Sequence, residues 1–345
     1  MTIVAKKTII AKVLALDNDQ RNLLEAEYGN YQNYIQGDKG VRLFAATKQQ
    51  ADRFLTVVRK TGRPVDPGKE YPLIIRRDTY KAETALAPFR FRIPVSGRRG
   101  GVEVPIGVPR GIPEGVQLRQ AKLIRDGDDW YIHILIQKEV NESASGAFMA
   151  IDMGTRNLAT VVCTWNAGPR FYGTEIRGIQ AHYYKLRRTL AKKGAHGTIK
   201  KIGQSETRAV EAVLHAVSRK IVDDAARHHA TIFVGDLKGL LTRARRSKLA
   251  RRILLGFAFY KFYGYLRYKS EWAGVPLIAV NEAYTSVRCH SCGQEGLRVA
   301  GWFQCRTCGH EYNADYNGAM NILKRGMGYI SMSGAASGTA QNPIG

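Results

Sequence analysis

The stretch FMAIDMGTRNLATVV, residues 148–162, decides how this chain is read. Its apolar residues run for the length of a buried strand, and one acid, Asp152, interrupts them just before Gly154. A carboxylate in such a run is costly unless it is hydrogen-bonded, paired or set against a cation. Taken alone, Asp152 reads as a structural hydrogen-bonding group at a strand end. Two more buried-strand patterns follow, TIFVGDL (231–237) and VPLIAVNEAY (275–284). A long basic helical stretch from about 179 to 229 and a second one through Trp272 lie between them. Strands alternating with helices predict an α/β domain.

Upstream the text changes. KKTIIAKVLALD (6–17) predicts a strand, and the apolar spacing from Asp17 to Gln36 predicts an amphipathic helix. Thr47 and Gln50 suggest a capping box for a second helix that runs through Arg59 and closes at Gly62. The runs YPLIIRR, FRFRIPV, GVEVPIGV, VQLRQAKLIR and DWYIHILIQKEV, separated by Gly, Pro and Asp turns, predict an antiparallel barrel or small sandwich. NESASGA (141–147) reads as a linker. These patterns divide the chain into a β domain over 1–147 with a helical insert at about 17–70, an α/β domain over 148–325, and a Gly/Ser/Ala-rich flexible tail over 326–345.

The cysteines add a second signal. Four of the five fall in CHSC (289–292) and CRTC (305–308), two tight pairs whose thiolates can converge on one tetrahedral ion. The doubled motif favours structural Zn²⁺ on Cys289, Cys292, Cys305 and Cys308 over a redox pair. Gly293 and Gly309 follow each pair, where a knuckle needs positive φ. His290 and His310 read as surface histidines, and Cys163 as a buried thiol.

The 345 residues carry 53 Lys and Arg against 29 Asp and Glu, a formal charge of +24. No run reaches the ~20 apolar residues of a membrane span, and no signal-peptide pattern opens the chain. A cytoplasmic, nucleoid-associated protein of prokaryotic or phage origin is expected. Nucleic acid is the default partner of a chain this basic. The charge is concentrated: His182 to Ser270 holds 21 Lys and Arg against 5 Asp and Glu. Arg187, Arg188, Lys192, Lys193, Arg245 and Arg246 in that region, with Arg76 and Arg77 in the β domain, are the expected phosphate contacts. The tyrosines among them read individually as core residues.

Asp315 opens the helical pattern DYNGAMNI and reads, by itself, as an N-cap. The order IDMGTRNLATV, GDL, YTSVRCHSCG, CRTCG and DYNGAMNI resembles the TnpB family, transposon-encoded proteins related to compact type V CRISPR effectors. The resemblance spans roughly the C-terminal 200 residues. It implies a RuvC-like nuclease domain of RNase H topology with a zinc-ribbon insertion at about 286–312, preceded by a β-barrel wedge domain carrying a helical recognition insert. It also implies RNA-guided cutting of double-stranded DNA beside a short motif, with a guide RNA as partner and catalytic Mg²⁺ on three acids. Asp152 matches the first acid and Asp315 the third.

The second acid departs from the family pattern, because Gly235 stands where a Glu is usual. Three readings follow, in order of preference. Glu282 supplies the carboxylate from the neighbouring strand; the site is inactive and the protein is an RNA-guided DNA-binding regulator; or Asp236 substitutes, although strand alternation points it away. A structural salt bridge competes for Glu282. A transposase is the remaining, least favoured function.

Overall fold

A computed structural model of the chain describes all residues except 63, 86, 87, 145, 155, 237–257 and 334–345. The chain divides into two compact units: Val4–Glu139, and Met1–Ile3 together with the chain from Val140 onward.

The first unit is built on seven strands: β1 (Thr2–Val13), β2 (Leu73–Ile75), β3 (Lys81–Glu83), β4 (Phe89–Val95), β5 (Arg98–Gly107), β6 (Gln117–Asp126) and β7 (Asp129–Asn141). Their order is β2-β6-β7-β1-β5-β4-β3. Alternation decides which side is buried: Trp130, Ile132, Ile134 and Ile136 of β7 lie in the core, and the residues between them do not. Strand β1 begins four residues before the expected start.

Helices α1 (Asn18–Gln36) and α2 (Ala45–Thr61) follow β1. Asp17 caps α1 through a reciprocal pair, Gln20 N–H to Asp17 Oδ1 at 2.7 Å and Asp17 N–H to Gln20 Oε1 at 2.9 Å. The box expected at Thr47 and Gln50 does not form. Helix α2 starts at Ala45 with no side-chain cap, and Thr47 and Gln50 are buried within it. Tertiary contact does the work instead: Phe44 N–H donates to Glu27 Oε1 at 3.0 Å, and Ser96 N–H to Glu27 Oε2 at 2.8 Å. Gly62 closes α2 in the left-handed region, as expected.

The second unit holds a five-stranded sheet of β8 (Phe148–Asp152), β9 (Ala159–Cys163), β10 (Asn166–Tyr172), β11 (Thr231–Gly235) and β12 (Leu277–Val280), ordered β10-β9-β8-β11-β12. The first three are antiparallel, whereas β11 runs parallel to both β8 and β12. Helices α3 (Glu175–Lys192) and α4 (His196–Arg227) make up the basic helical stretch expected over about 179–229. The break falls at Gly194, φ 68°, where the chain folds back. Helix α5 (Ala258–Ala273) precedes β12. Helix α6 (Ala314–Ser333) runs past the predicted end near Lys324, so residues 326–333 are helical rather than part of a flexible tail. The rest of that tail lies outside the described residues.

The inner strands β8, β9 and β11 are apolar on both sides because helices cover both. Met149, Ile151, Ile232 and Val234 pack with Leu214, Val217 and Ile221 of α4 and Phe262 and Leu266 of α5. Ala150, Phe233 and Val280 pack with Ala319, Ile322 and Leu323 of α6. Strand parity therefore sets Asp152 and Gly235 on the α6 face. Residues 296–313 form a small antiparallel sheet, β13 (Gly296–Val299), β14 (Trp302–Cys305) and β15 (Glu311–Asn313). Among the described residues no helix is long and apolar enough to cross a membrane.

Candidate active site

Asp152 ends β8, Glu282 lies two residues beyond β12, and Asp315 sits in the first turn of α6. All three line one cavity of about 410 Å³, with Arg156, Arg298 and Gly301 among its other walls. Burial pushes the Asp152 carboxyl well above the usual carboxylate range, and the charges of Glu282 and Asp315 push the same way. Arg298 opposes them. Helix α6 approaches closely here: a Cβ on Gly318 would lie 2.7 Å from Asp152 Oδ2.

Glu282 occupies the space that a side chain at 235 would fill. A Cβ built on Gly235 would overlap the Glu282 carboxylate, 2.5 Å from its Cδ and 2.6 Å from its Cγ. Gly235 pairs with Val280, and Val280 faces α6, so two residues on Glu282 returns to that side. Asp236 goes elsewhere. Its N–H donates to Val280 O at 2.8 Å, and its charge acts on Tyr263 of α5, beside the opposite face of the sheet.

Asp315 is not the N-cap. Asn313 takes that role, accepting from the N–H groups of Asp315 at 3.0 Å and Tyr316 at 3.2 Å. The Asp315 carboxylate is held by Arg298 (2.8 Å to Oδ1) and the buried Asn157 (3.1 Å to Oδ2). Both residues were absent from the sequence expectations. Asn157 lies within the IDMGTRN motif but carries no pattern of its own, and Arg298 comes from the ribbon, distant in sequence from Asp152.

The four ribbon cysteines place their sulfurs within 4.8 Å of one another, with Cys289–Cys308 at 3.7 Å and Cys292–Cys305 at 3.4 Å. A tetrahedron with Zn–S near 2.3 Å has sulfur separations of about 3.8 Å, so the four thiolates suit one zinc ion. Each knuckle closes on a glycine of positive φ, Gly293 at 79° and Gly309 at 70°. Their N–H groups donate to Cys289 O and Cys305 O.

His290 is a correction. It is buried, and burial lowers its pKa. Its N–H donates to Asn317 Oδ1 at 2.9 Å, and Lys324 donates to its carbonyl. Asn317 Nδ2 donates to Arg288 O at 2.7 Å, and Asn321 Nδ2 reaches the carbonyls of Thr285 and Arg288. Asn317 and Asn321 lie four apart on one face of α6, which is the readable trace of this lock. Replacing the fully buried Asn317 by Ala strands several polar partners, so Asn317→Ala should lose about 2–4 kcal/mol of unfolding free energy in denaturant titration.

The expected phosphate contacts are scattered. Arg188, Lys192 and Lys193 are exposed on or beside α3, but Arg187 pairs with Glu206 of α4. Arg76 pairs with Asp78, and Arg76 and Arg77 line a basic cavity of about 470 Å³ in the first unit together with Lys6, Arg53 and Arg119. Arg245 and Arg246 lie outside the described residues. Of the tyrosines expected in the core, Tyr184 and Tyr260 are instead exposed.

A family model described as Cas12f1-like, TNB domain, matches residues 259–322, from α5 through the ribbon to α6. Over 231 residues the chain is 29% identical to the CRISPR-associated endodeoxyribonuclease Cas12f1 of Sulfoacidibacillus thermotolerans, covering 60% of this chain and 53% of that one. It is 28% identical to the putative RNA-guided DNA endonuclease InsQ of Escherichia coli K12, covering 57% and 54%. A TnpB-like protein of Methanocaldococcus jannaschii is 25% identical over 56% of this chain and 74% of its own. These matches make the chain similar to TnpB-like and Cas12f proteins over somewhat more than half of its length. It spans about half the length of the first two relatives. Its fold is similar to that of a solved Cas12f1 in complex with sgRNA and target DNA, with a TM-score of 0.58 at 12% identity, covering 88% of this chain and 82% of that one.

Proposed function

We propose that this chain is an RNA-guided DNA endonuclease whose cutting centre is Asp152, Glu282 and Asp315. The observation that carries the reading is the Glu282 carboxylate lying where a side chain at 235 would be. An acid displaced from one strand to its neighbour thus restores a three-carboxylate set. The alternation of the five-stranded sheet, antiparallel and then parallel, supports an RNase H-like RuvC domain. The seven-stranded unit with its two helices fits the wedge and recognition insert.

An all-oxygen donor set of three acids suits Mg²⁺. Burial first, and then the neighbouring charges of Glu282 and Asp315, hold the Asp152 carboxyl above the usual carboxylate range, which a bound cation would counter. Bound Mg²⁺ would supply a hydroxide-like attacking water and neutralise the leaving oxygen of a phosphodiester. The chain's own residues set the geometry. Arg298 and Asn157 fix the two oxygens of Asp315, and Gly318 and Gly235 leave room for Asp152 and Glu282. Guide pairing would provide sequence choice, while exposed cations such as Arg188, Lys192 and Lys193 and the cavity around Arg76 and Arg77 grip phosphates.

RNA-loaded protein should cut a motif-bearing plasmid in Mg²⁺, and Asp152→Asn should abolish cutting while keeping guide-dependent binding. Guide-dependent binding by the wild type with no cut would leave only the regulator. The same variant reports on the charge cluster. A carboxyl whose folded pKa is raised favours the fold below its ordinary pKa and loses that contribution as pH rises through the raised value. Metal-free Asp152→Asn should therefore melt above the wild type at pH 7–8, with the difference vanishing as the pH falls below about 4.

A further inference from the structure

Residues 281–285 form the turn that carries Glu282, and each of their five carbonyls accepts a hydrogen bond from the chain. Arg325 of α6 donates to Asn281 O and, at 3.0 Å, to Ala283 O. Thr285 gives Glu282 O both its N–H at 3.1 Å and its hydroxyl at 2.9 Å. Tyr284 O takes the N–H groups of Val287 at 3.2 Å and Arg288 at 3.0 Å, and Asn321 Nδ2 reaches Thr285 O at 2.9 Å. Water serves many of the carbonyls of an ordinary surface connection; here the chain itself takes every one. Tyr284 carries the same message. Its φ is 65°, in the left-handed region that non-glycine residues enter at a cost, and its side chain is 60% exposed, so burial does not offset that cost. Such a conformation persists where its surroundings over-determine it.

Helix α6 acts as a ruler for this turn. Asn317, Asn321 and Arg325 recur every fourth residue along one face. As the helix advances, their partners run back along the chain, from His290 and Arg288 through Thr285 to Ala283 and Asn281. The helix that begins at Asp315 therefore also sets where Glu282 stands. Arg325 does so most directly, because its planar fork bridges the carbonyls on either side of Glu282. A carboxylate two residues past the end of β12 has no strand ladder to fix it, unlike one borne on β11 at 235. We propose that Arg325, assisted by Thr285 within the turn, is the positioning residue of the displaced second acid, holding the Glu282 carboxylate in the space that Gly235 leaves open. This rests on reading Asp152, Glu282 and Asp315 as the centre that holds Mg²⁺. Arg325 acts there through Glu282 alone.

The test is Mn²⁺ binding to the full-length chain, followed by the EPR signal of free Mn²⁺, with Glu282→Gln as the reference for loss of the acid. Arg325→Met keeps an apolar stem and removes the fork, and it should weaken the Glu282-dependent binding by about ten- to a hundredfold. Arg325→Lys, which can serve one carbonyl but not both, should fall between. The sign separates positioning from charge, because deleting a positive charge would by Coulomb's law alone tighten a cation site. Guided cutting should show the same split: excess Mn²⁺ should bring Arg325→Met back toward the wild-type rate and should not rescue Glu282→Gln. Mn²⁺ affinity in Arg325→Met equal to or tighter than that of the wild type would overturn the positioning role. So would a lowered melting temperature with a cutting defect that no metal concentration repairs, because Arg325 would then serve stability only. If Arg325→Met does not fold, Thr285→Val decides in its place, since it removes only the hydroxyl bond to Glu282 O. A several-fold weaker Mn²⁺ site in that variant supports the clamped turn, and an unchanged one overturns it. The two readings fail separately. Mn²⁺ binding and cutting indifferent to Glu282→Gln would remove the three-acid centre itself, whereas binding that depends on Glu282 but ignores Arg325 loses the positioning role alone.

Discussion

Glu282→Gln should lower guided DNA cleavage by about 10³-fold or more, with guide and target binding unchanged. The substitution keeps volume and shape and removes one negative charge, so the loss would be electrostatic rather than steric. Two companions locate the effect. Gly235→Ala introduces a Cβ into the volume of the Glu282 carboxylate, so it should also impair cutting although residue 235 itself carries no chemistry. Asp236→Asn, whose side chain acts on Tyr263 across the sheet, should cut at close to the wild-type rate. Single-turnover cleavage of a labelled target measures all three. Wild-type cutting by Glu282→Gln would remove Glu282 from the centre, and loss of cutting by Asp236→Asn would revive the substitution that strand parity disfavours.

Removing zinc should have the next largest effect. Structural Zn²⁺ in small Cys-rich modules contributes about 10–16 kcal/mol of binding free energy that is also folding free energy. The ribbon's own buried hydrophobic cluster is small, Phe303 and Ala314 with Cys289 and Cys305. Cys305→Ser or a strong chelator should unfold residues 286–312, seen as rapid hydrogen exchange confined to that segment, and metal analysis of the wild type should give about one zinc per chain. Because the ribbon carries Arg298 to Asp315 and Gly301 to the start of α6, cutting should fall by roughly tenfold or more as well. A zinc-free chain with a protected ribbon would refute the site.

The parts of this architecture that declare themselves locally were legible in the sequence. Asp152 stands out because an acid in an apolar strand is expensive, and the cysteine pairs because two knuckles need that spacing. Asp236 points away from Asp152 by strand alternation alone, which is a property of the backbone. What escaped is what tertiary contact supplies. The break at Gly194 inside the basic helical stretch was not marked, because an isolated glycine in a helical pattern can be tolerated within a helix or can end one. The cap of α2 is missing because Glu27, far away in sequence, takes the N–H of Phe44. His290 looked like a surface residue because only the fold brings Asn317 over it. Asp315 looked like a cap, yet Asn313, two residues earlier, does the capping and leaves the acid facing Arg298 and Asn157. In each case a side chain chose between two local roles according to a partner that the local sequence does not contain.

The proposal that Glu282 serves as the second acid is tested directly by anomalous diffraction from the RNA- and DNA-bound protein crystallised with Mn²⁺ in place of Mg²⁺. Anomalous peaks bounded by the carboxylates of Asp152, Asp315 and Glu282 are the predicted result. Manganese held by Asp152 and Asp315 with the Glu282 carboxylate turned out of ligand reach, or no manganese between them at all, would contradict it.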